Sequence, residues 1–337
     1  MNAKLPSIGT TIDSLIGKGK IPDRYEKILK DFFSSYTKVA LSHKYKPKDF
    51  VPIFSTFIDL IEKQFLKPYQ FDLYHKRIRQ PFDYTQFGLD FMNPLVNLAD
   101  SSVVGHKHLD SIREQLDKKE NVILLANHQI EADPMAITIL LEPNYPTLAN
   151  KLIFVAGARV TTDPLAIPFS MGCNLLCIHS KKHMDTPPEL KHTKQMHNKR
   201  TMQRMTELLT EGGHIIYVAP SGGRDRMNKQ GEIEVAPFDP QSIEMFYLMA
   251  KKAKRPTHFY TLALSTYHLL PPPETIESEV GEIRITHGGS IHLAFGPEID
   301  MDTFPGQELA KNKYEKRKIR ANYLWKYVQK DYNTFPK

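Results

Sequence analysis

Cysteine is scarce in this chain: only Cys173 and Cys177 occur in 337 residues. Two thiols cannot build a disulfide framework, and a C-x-x-x-C pair with no second Cys pair is not a zinc-site pattern. Cys177 lies in the apolar run LLCI and reads as core packing, in keeping with a reducing compartment. Long apolar runs are also missing. None approaches the roughly 20 residues needed to span a bilayer, so no transmembrane segment is expected, and no apolar core follows Lys4 as in a secretory signal. The glycine patterns of nucleotide loops, G-x-G-x-x-G and G-x-x-x-x-G-K-[ST], do not occur. Nor does the G-x-S-x-G elbow of a serine nucleophile: the S-x-G at Ser170 has Pro168 where the first glycine belongs. No helix-turn-helix, zinc-finger or RNP signature is present, so nucleic acid is not an expected partner.

What remains suffices for a large core. Hydrophobic residues make up 41% of the chain, and the length allows one large domain or two smaller ones. The net charge of +7 points to an anionic partner: a membrane surface, a phosphorylated substrate or an acidic carrier protein. Residues 1–75 carry helical stripes, with a short run around Ile12, a long one from Pro22 to Ser42, and a third beyond Pro47 and Pro52. This predicts a small N-terminal helical bundle domain, with residues 76–337 as a second, α/β domain. A helix bent near Gly88 and Pro94 is expected over Pro81 to Asp100, and another over Leu109 to Leu116. Short apolar runs at 122–126, 152–156, 175–178 and 215–219 then read as strands, and a long helix ending at Gly212 separates the last two. Such alternation implies an α/β layered fold. Further strand-like runs at 259–264, 283–285 and 291–295 follow at shorter spacing, which favours a mixed sheet flanked by helices. The segment 309–332 reads as a charged helix.

The stretch NVILLANHQIEADP, from Asn121 to Pro134, organises the rest. Its apolar run is a strand, and Asp133-Pro134 is a helix start, with Asp able to cap and Pro suited to the first turn. His128 therefore sits on a strand-to-helix loop, where α/β proteins tend to hold their chemistry. The helix entry can fold Asp133 back beside the imidazole. A His held by a carboxylate is a general base; the alternative is a loop histidine and a capping aspartate. With no nucleophile elbow, such a base would act on a substrate hydroxyl.

Two basic clusters also follow strand-like runs. They are Ser180-Lys181-Lys182-His183 and Ser221-Gly222-Gly223-Arg224-Asp225-Arg226. If their strands share a sheet with the His128 strand, Lys182, His183, Arg224 and Arg226 can surround a phosphate, for which the planar arginine fork is suited. Asp225 would orient an arginine. The bland alternatives are a solvated turn and a salt-bridged surface turn. His179 and His183 have metal-ligand spacing but no evident third ligand, so no metal is expected.

NHQIEADP matches the H-x-x-x-x-D box of glycerolipid acyltransferases. With FVAGARVTTDPLAIPFSMGCNLLC, HSKKHM, APSGGRDR and LLPPP, the chain resembles the soluble, plastid-type glycerol-3-phosphate acyltransferases and their bacterial relatives, from about Arg77 to Gly296. The resemblance implies acyl transfer to the sn-1 hydroxyl of glycerol 3-phosphate. It assigns His128 and Asp133 to catalysis, and Lys182, His183, Arg224 and Arg226 to the phosphate. It implies a fatty acyl thioester of acyl carrier protein or CoA as co-substrate, no cofactor, and a product delivered to the membrane. A starting Met fits a bacterial cytoplasmic protein, or a processed form in the plastid stroma. Ala158 in GARV stands where Asp is expected in plant relatives, which leaves Arg159 without a neighbouring charge. The alternative readings are a lysophosphatidate acceptor, or a non-catalytic basic module binding acyl carrier protein or anionic lipid.

Overall fold

The computed structural model describes residues 7–181, 184–273 and 281–336. Three amphipathic helices open the chain: α1 (Ile8–Gly17), α2 (Tyr25–Ser42) and α3 (Pro47–Leu66). Each buries one apolar stripe, as helical periodicity requires. There follow β1 (Tyr74–His75), α4 (Tyr84–Met92), β2 (Ser102–Val104), α5 (His106–Asp117), β3 (Asn121–Ala126), α6 (Asp133–Leu141), α7 (Pro146–Lys151) and β4 (Leu152–Gly157). Next come α8 (Ala158–Thr162), α9 (Ile167–Ser170), β5 (Asn174–Ile178), α10 (Lys191–Glu211) and β6 (Ile215–Val218). The chain continues with β7 (Arg226–Met227), β8 (Ile233–Glu234), α11 (Pro240–Lys252), β9 (Thr257–Ser265), β10 (His292–Glu298) and α12 (Lys313–Tyr332).

Eight strands form one mixed sheet in the order β1-β5-β4-β6-β3-β9-β10-β2. The centre, from β5 through β9, is parallel, whereas β1 and β10 run against their neighbours β5 and β9. Central parallel strands are covered on both faces, so they read as unbroken apolar runs. In β3, Val122, Leu124 and Ala126 join the core on one face with α1 to α7, while Ile123 and Leu125 join the core on the other with α10, α11 and α12. The mixed α/β architecture expected from the alternation of runs is the one observed. Gly212 ends α10 at φ +84°, where a Cβ would come within 2.4 Å of the Lys119 carbonyl oxygen, so glycine is required there.

Two expected elements differ. The predicted bent helix is α4 alone, followed by two short 3-10 turns, Asn93–Leu95 and Leu98–Asp100. Gly88 does not bend it. A Cβ at Gly88 would meet the Met135 sulfur at 2.6 Å, so this glycine lets α4 lie close on α6. The run Ile283–Ile285 joins no sheet, and its burial alternates with the apolar residues outward. Ile283 is 51% exposed, whereas Glu282, Arg284 and Thr286 are buried. Helices α7, α8 and α9 and strands β1 and β2 are too short to be foreseen, whereas α11, with Asp239 as its cap, Pro240 in its first turn and a buried stripe of Ile243, Phe246 and Tyr247, was missed. No helix of the described residues is long and apolar enough to cross a membrane.

The N-terminal helices share a core with the sheet. Phe91 of α4 is the hub. Its ring lies within 6.0 Å, centroid to centroid, of Phe32, Tyr36, Phe54 and Phe57 on one side and of Phe87 and Phe169 on the other. Its carbonyl accepts from the Tyr36 hydroxyl at 2.7 Å. Phe91→Ala is expected to cost about 3–5 kcal/mol, read as a lowered urea midpoint.

Candidate active site

Because β5, β4, β6 and β3 are parallel neighbours, their C-terminal ends emerge at one edge. The loops after β3, β5 and β6 carry Asn127-His128-Gln129, Ser180-Lys181 and GGRDR, and so meet there. They line a cavity of about 890 Å³. Its polar wall includes His128, Lys181, Arg224 and Arg226, and its apolar wall includes Phe32, Phe91, Leu165 and Phe169. Lys182 and His183, the other two expected phosphate ligands, lie outside the described residues. Ser180 and Lys181 of the same loop reach the cavity, and Lys181 pairs with Asp239 at 2.7 Å.

His128 Nδ1 is 2.7 Å from Asp133 Oδ2. Asp133 is 1% exposed. It also accepts from the backbone N–H of Gln129 at 2.9 Å and of Ile130 at 3.3 Å, and from the Thr266 hydroxyl at 2.5 Å. It does not cap α6 in the expected way; it turns back and closes the loop that carries His128. A carboxylate with these donors is an acceptor, so Nδ1 carries the imidazole proton and Nε2 is left as the base.

The loop rests on a second buried carboxylate, Asp225. Its Oδ2 accepts from Asn127 at 2.8 Å and Gln129 at 3.2 Å, and its Oδ1 from the Ala236 N–H at 2.9 Å. Its own N–H donates to the His128 carbonyl at 2.7 Å. The expectation that Asp225 orients an arginine is therefore corrected: it holds amides. Burial pushes its carboxyl up to about 6, partly offset by these hydrogen bonds. Asn127 also closes on β9, donating to the Leu264 carbonyl at 2.9 Å and accepting its N–H at 2.8 Å. Gln129 accepts from the N–H groups of Thr266 and Tyr267 at 2.6 and 3.0 Å.

The arginines are held by a carboxylate far along the chain. Glu282, 2% exposed, accepts from Arg224 Nη2 with both oxygens, at 2.8 and 2.9 Å. It also accepts from Arg159 Nη1, so Arg159 does have a charged partner, though not at position 158. Arg226 Nη1 donates to the Pro273 carbonyl at 2.5 Å. Burial and the nearby Arg224 charge push the Arg226 guanidinium down from its ordinary value, as suits a cation awaiting an anion.

Beneath lies a buried ion cluster. Arg284 pairs with Glu131 at 2.7 Å and Asp163 at 3.0 Å. Burial alone would raise the Asp163 carboxyl. The Arg284 charge and the N–H groups of Leu165 and Gly281 outweigh that and hold it below its ordinary range.

Asn127, Gln129, Glu131, Asp163, Glu282 and Arg284 were not singled out from sequence. The signal for Glu282 and Arg284 was the alternation in G-E-I-R-I-T, a stretch read only as a strand-like run at 283–285. Arg284→Ala removes the ion-pair partner of buried Asp163 and of Glu131, and about 3–5 kcal/mol of stability should be lost in urea unfolding.

The family pattern described as Acyltransferase matches residues 108–265. The chloroplastic glycerol-3-phosphate acyltransferase of Spinacia oleracea is 37% identical over 94% of this chain and 67% of its own length. The chloroplastic enzyme ATS11 of Cucurbita moschata is 36% identical over 94% and 71%, and that of Arabidopsis thaliana 35% over 93% and 69%. Among solved structures, the 1-acyl-sn-glycerophosphate acyltransferase PlsC of Thermotoga maritima overlaps with a TM-score of 0.41 at 19% identity, over 74% of this chain and 77% of that one; it is too distant to bear on the site. On the strength of identity sustained along nearly its whole length, this chain belongs to the glycerol-3-phosphate acyltransferase family.

Proposed function

We propose that the protein transfers a fatty acyl group from a thioester to the sn-1 hydroxyl of glycerol 3-phosphate, with His128 as the base. The observation that carries this reading is the 2.7 Å contact of His128 with buried Asp133, on the wall of a cavity that also holds Arg224, Arg226 and an apolar recess. A base, an anion anchor and a slot for an alkyl chain are the parts that this acceptor and this donor require.

Nε2 of His128 takes the proton of the sn-1 hydroxyl as its oxygen attacks the thioester carbonyl. The tetrahedral intermediate collapses, the C–S bond breaks, and the leaving sulfur takes the proton back from the imidazolium. Asp133 keeps the tautomer and supports the transient charge. No acyl-enzyme is needed, because a thioester is already activated. Arg224 and Arg226, with Lys182 and His183 of the neighbouring loop, take the phosphate. The recess lined by Phe32, Phe91, Leu165 and Phe169 takes the acyl chain, where its methylenes lose their contact with water. The donor is an acyl thioester of acyl carrier protein or CoA; the +7 net charge favours an acidic carrier.

The test is product formation from labelled glycerol 3-phosphate and acyl-acyl carrier protein, repeated with acyl-CoA. His128→Ala should lower kcat by about 10²–10⁴-fold with glycerol 3-phosphate binding retained. Arg226→Ala should raise the KM for glycerol 3-phosphate by about tenfold or more, with a smaller effect on kcat. An equal loss of binding in both variants, each folded, contradicts this division of roles.

A further inference from the structure

The segments Asn127-His128-Gln129 and Arg224-Asp225-Arg226 have the same alternating build. In the first, the amides on either side of His128 are buried, and His128, 31% exposed, faces the cavity. In the second, Asp225 is buried, and the arginines on either side line the cavity. Extended backbone sends successive side chains to opposite faces, and here the two buried faces meet. The carboxylate between the arginines binds both amides that flank the histidine, at 2.8 and 3.2 Å. The Asp225 N–H closes the pair on the His128 carbonyl at 2.7 Å.

We infer that Asp225 is a positioning residue that fixes the distance between the phosphate-binding arginines and the His128 base, and thereby selects which hydroxyl of the acceptor is acylated. The inference rests on the reading given under Proposed function. Glycerol 3-phosphate offers two hydroxyls, on adjacent carbons counted from its phosphate. The carbons that bear them are joined by one bond of about 1.5 Å, so the two hydroxyl oxygens are close neighbours. An anchor and a base on independently mobile loops could not resolve that difference. Joined through one buried carboxylate they can, since a site must be held to about 0.5 Å to be productive. A carboxylate raised to about 6 by burial is a costly way to join two loops, and a costly local choice of this kind is expected at functional sites. The joint also explains why the arginine pair carries an aspartate between its members, although neither arginine bonds to it.

Asp225→Asn is the near-isosteric test. Its amide presents one acceptor where the carboxylate has two and adds N–H groups facing other donors. Positional isomers of the acylated product are measured after an acid quench that prevents acyl migration, alongside kcat and KM. The expected result is a kcat lower by about 100-fold, the order of effect of an ångström-scale misplacement. The KM for glycerol 3-phosphate should stay within about threefold, and the share of 2-acyl product should rise. Gln129→Leu, which removes one of the two amide donors, should shift the isomers in the same direction and covers the case in which Asp225→Asn does not fold. Wild-type product with an unchanged isomer ratio in the folded variants overturns the positioning role alone. No product from the wild type with either donor overturns the acceptor assignment, and this inference with it.

Discussion

A carboxylate sealed from water must be given donors, and the site follows from meeting that demand at Asp133. Isolated burial of an ionised carboxylate costs many kcal/mol. Asp133 is satisfied by two backbone N–H groups of the turn that precedes it, by Thr266 at the end of β9, and by His128. The first two shape the loop, the third ties the loop to the sheet, and the fourth orients the base. A single residue therefore links the backbone conformation after β3 to the chemistry proposed for the imidazole. The same logic recurs at Asp225 and Glu282, each buried and each surrounded by donors from separate segments. These carboxylates serve as joints between loops.

The charges around the cavity differ in how fully they are paired. Arg284 is fully committed to Glu131 and Asp163 deep in the wall. Arg224 is shared with Glu282, which leaves its remaining N–H groups for an anion. Arg226 donates to the neutral Pro273 carbonyl and feels the Glu282 carboxylate only as a nearby charge. On the opposite wall, Phe32 of α2 and Phe91 of α4 bring the N-terminal helices into the lining. The helical segment is therefore part of the cavity's construction, and the aromatic cluster around Phe91 gives that wall its rigidity.

Much of this was legible in the sequence because it depended on short-range patterns. The run Val122 to Ala126 followed by His128 and Asp133 specifies a strand, a loop and a helix start, and the fold contains all three. The GGRDR loop after β6 came to the same edge because parallel neighbours send their C-terminal ends the same way. What could not be read was long-range pairing. Glu282 meets Arg159 and Arg224 across 123 and 58 residues, and no local spacing marks such a contact. The alternation in Ile283–Ile285 was visible, but which face turned inward depended on the arginines waiting on the cavity side. Asp133 was read both as able to cap and as able to fold back beside the imidazole, and the second placement is the one observed; the Thr266 hydroxyl just past β9 could not be foreseen. For Lys182 and His183 only the sequence resemblance speaks.

The claim that one sheet edge holds both base and anchor is tested most directly by a crystal structure of the protein with glycerol 3-phosphate bound. The account predicts the phosphate against Arg224 and Arg226, and the sn-1 hydroxyl oxygen within about 2.6–3.2 Å of His128 Nε2, directly or through one water. A phosphate bound elsewhere in the cavity, with the sn-1 hydroxyl out of reach of the imidazole, would contradict it.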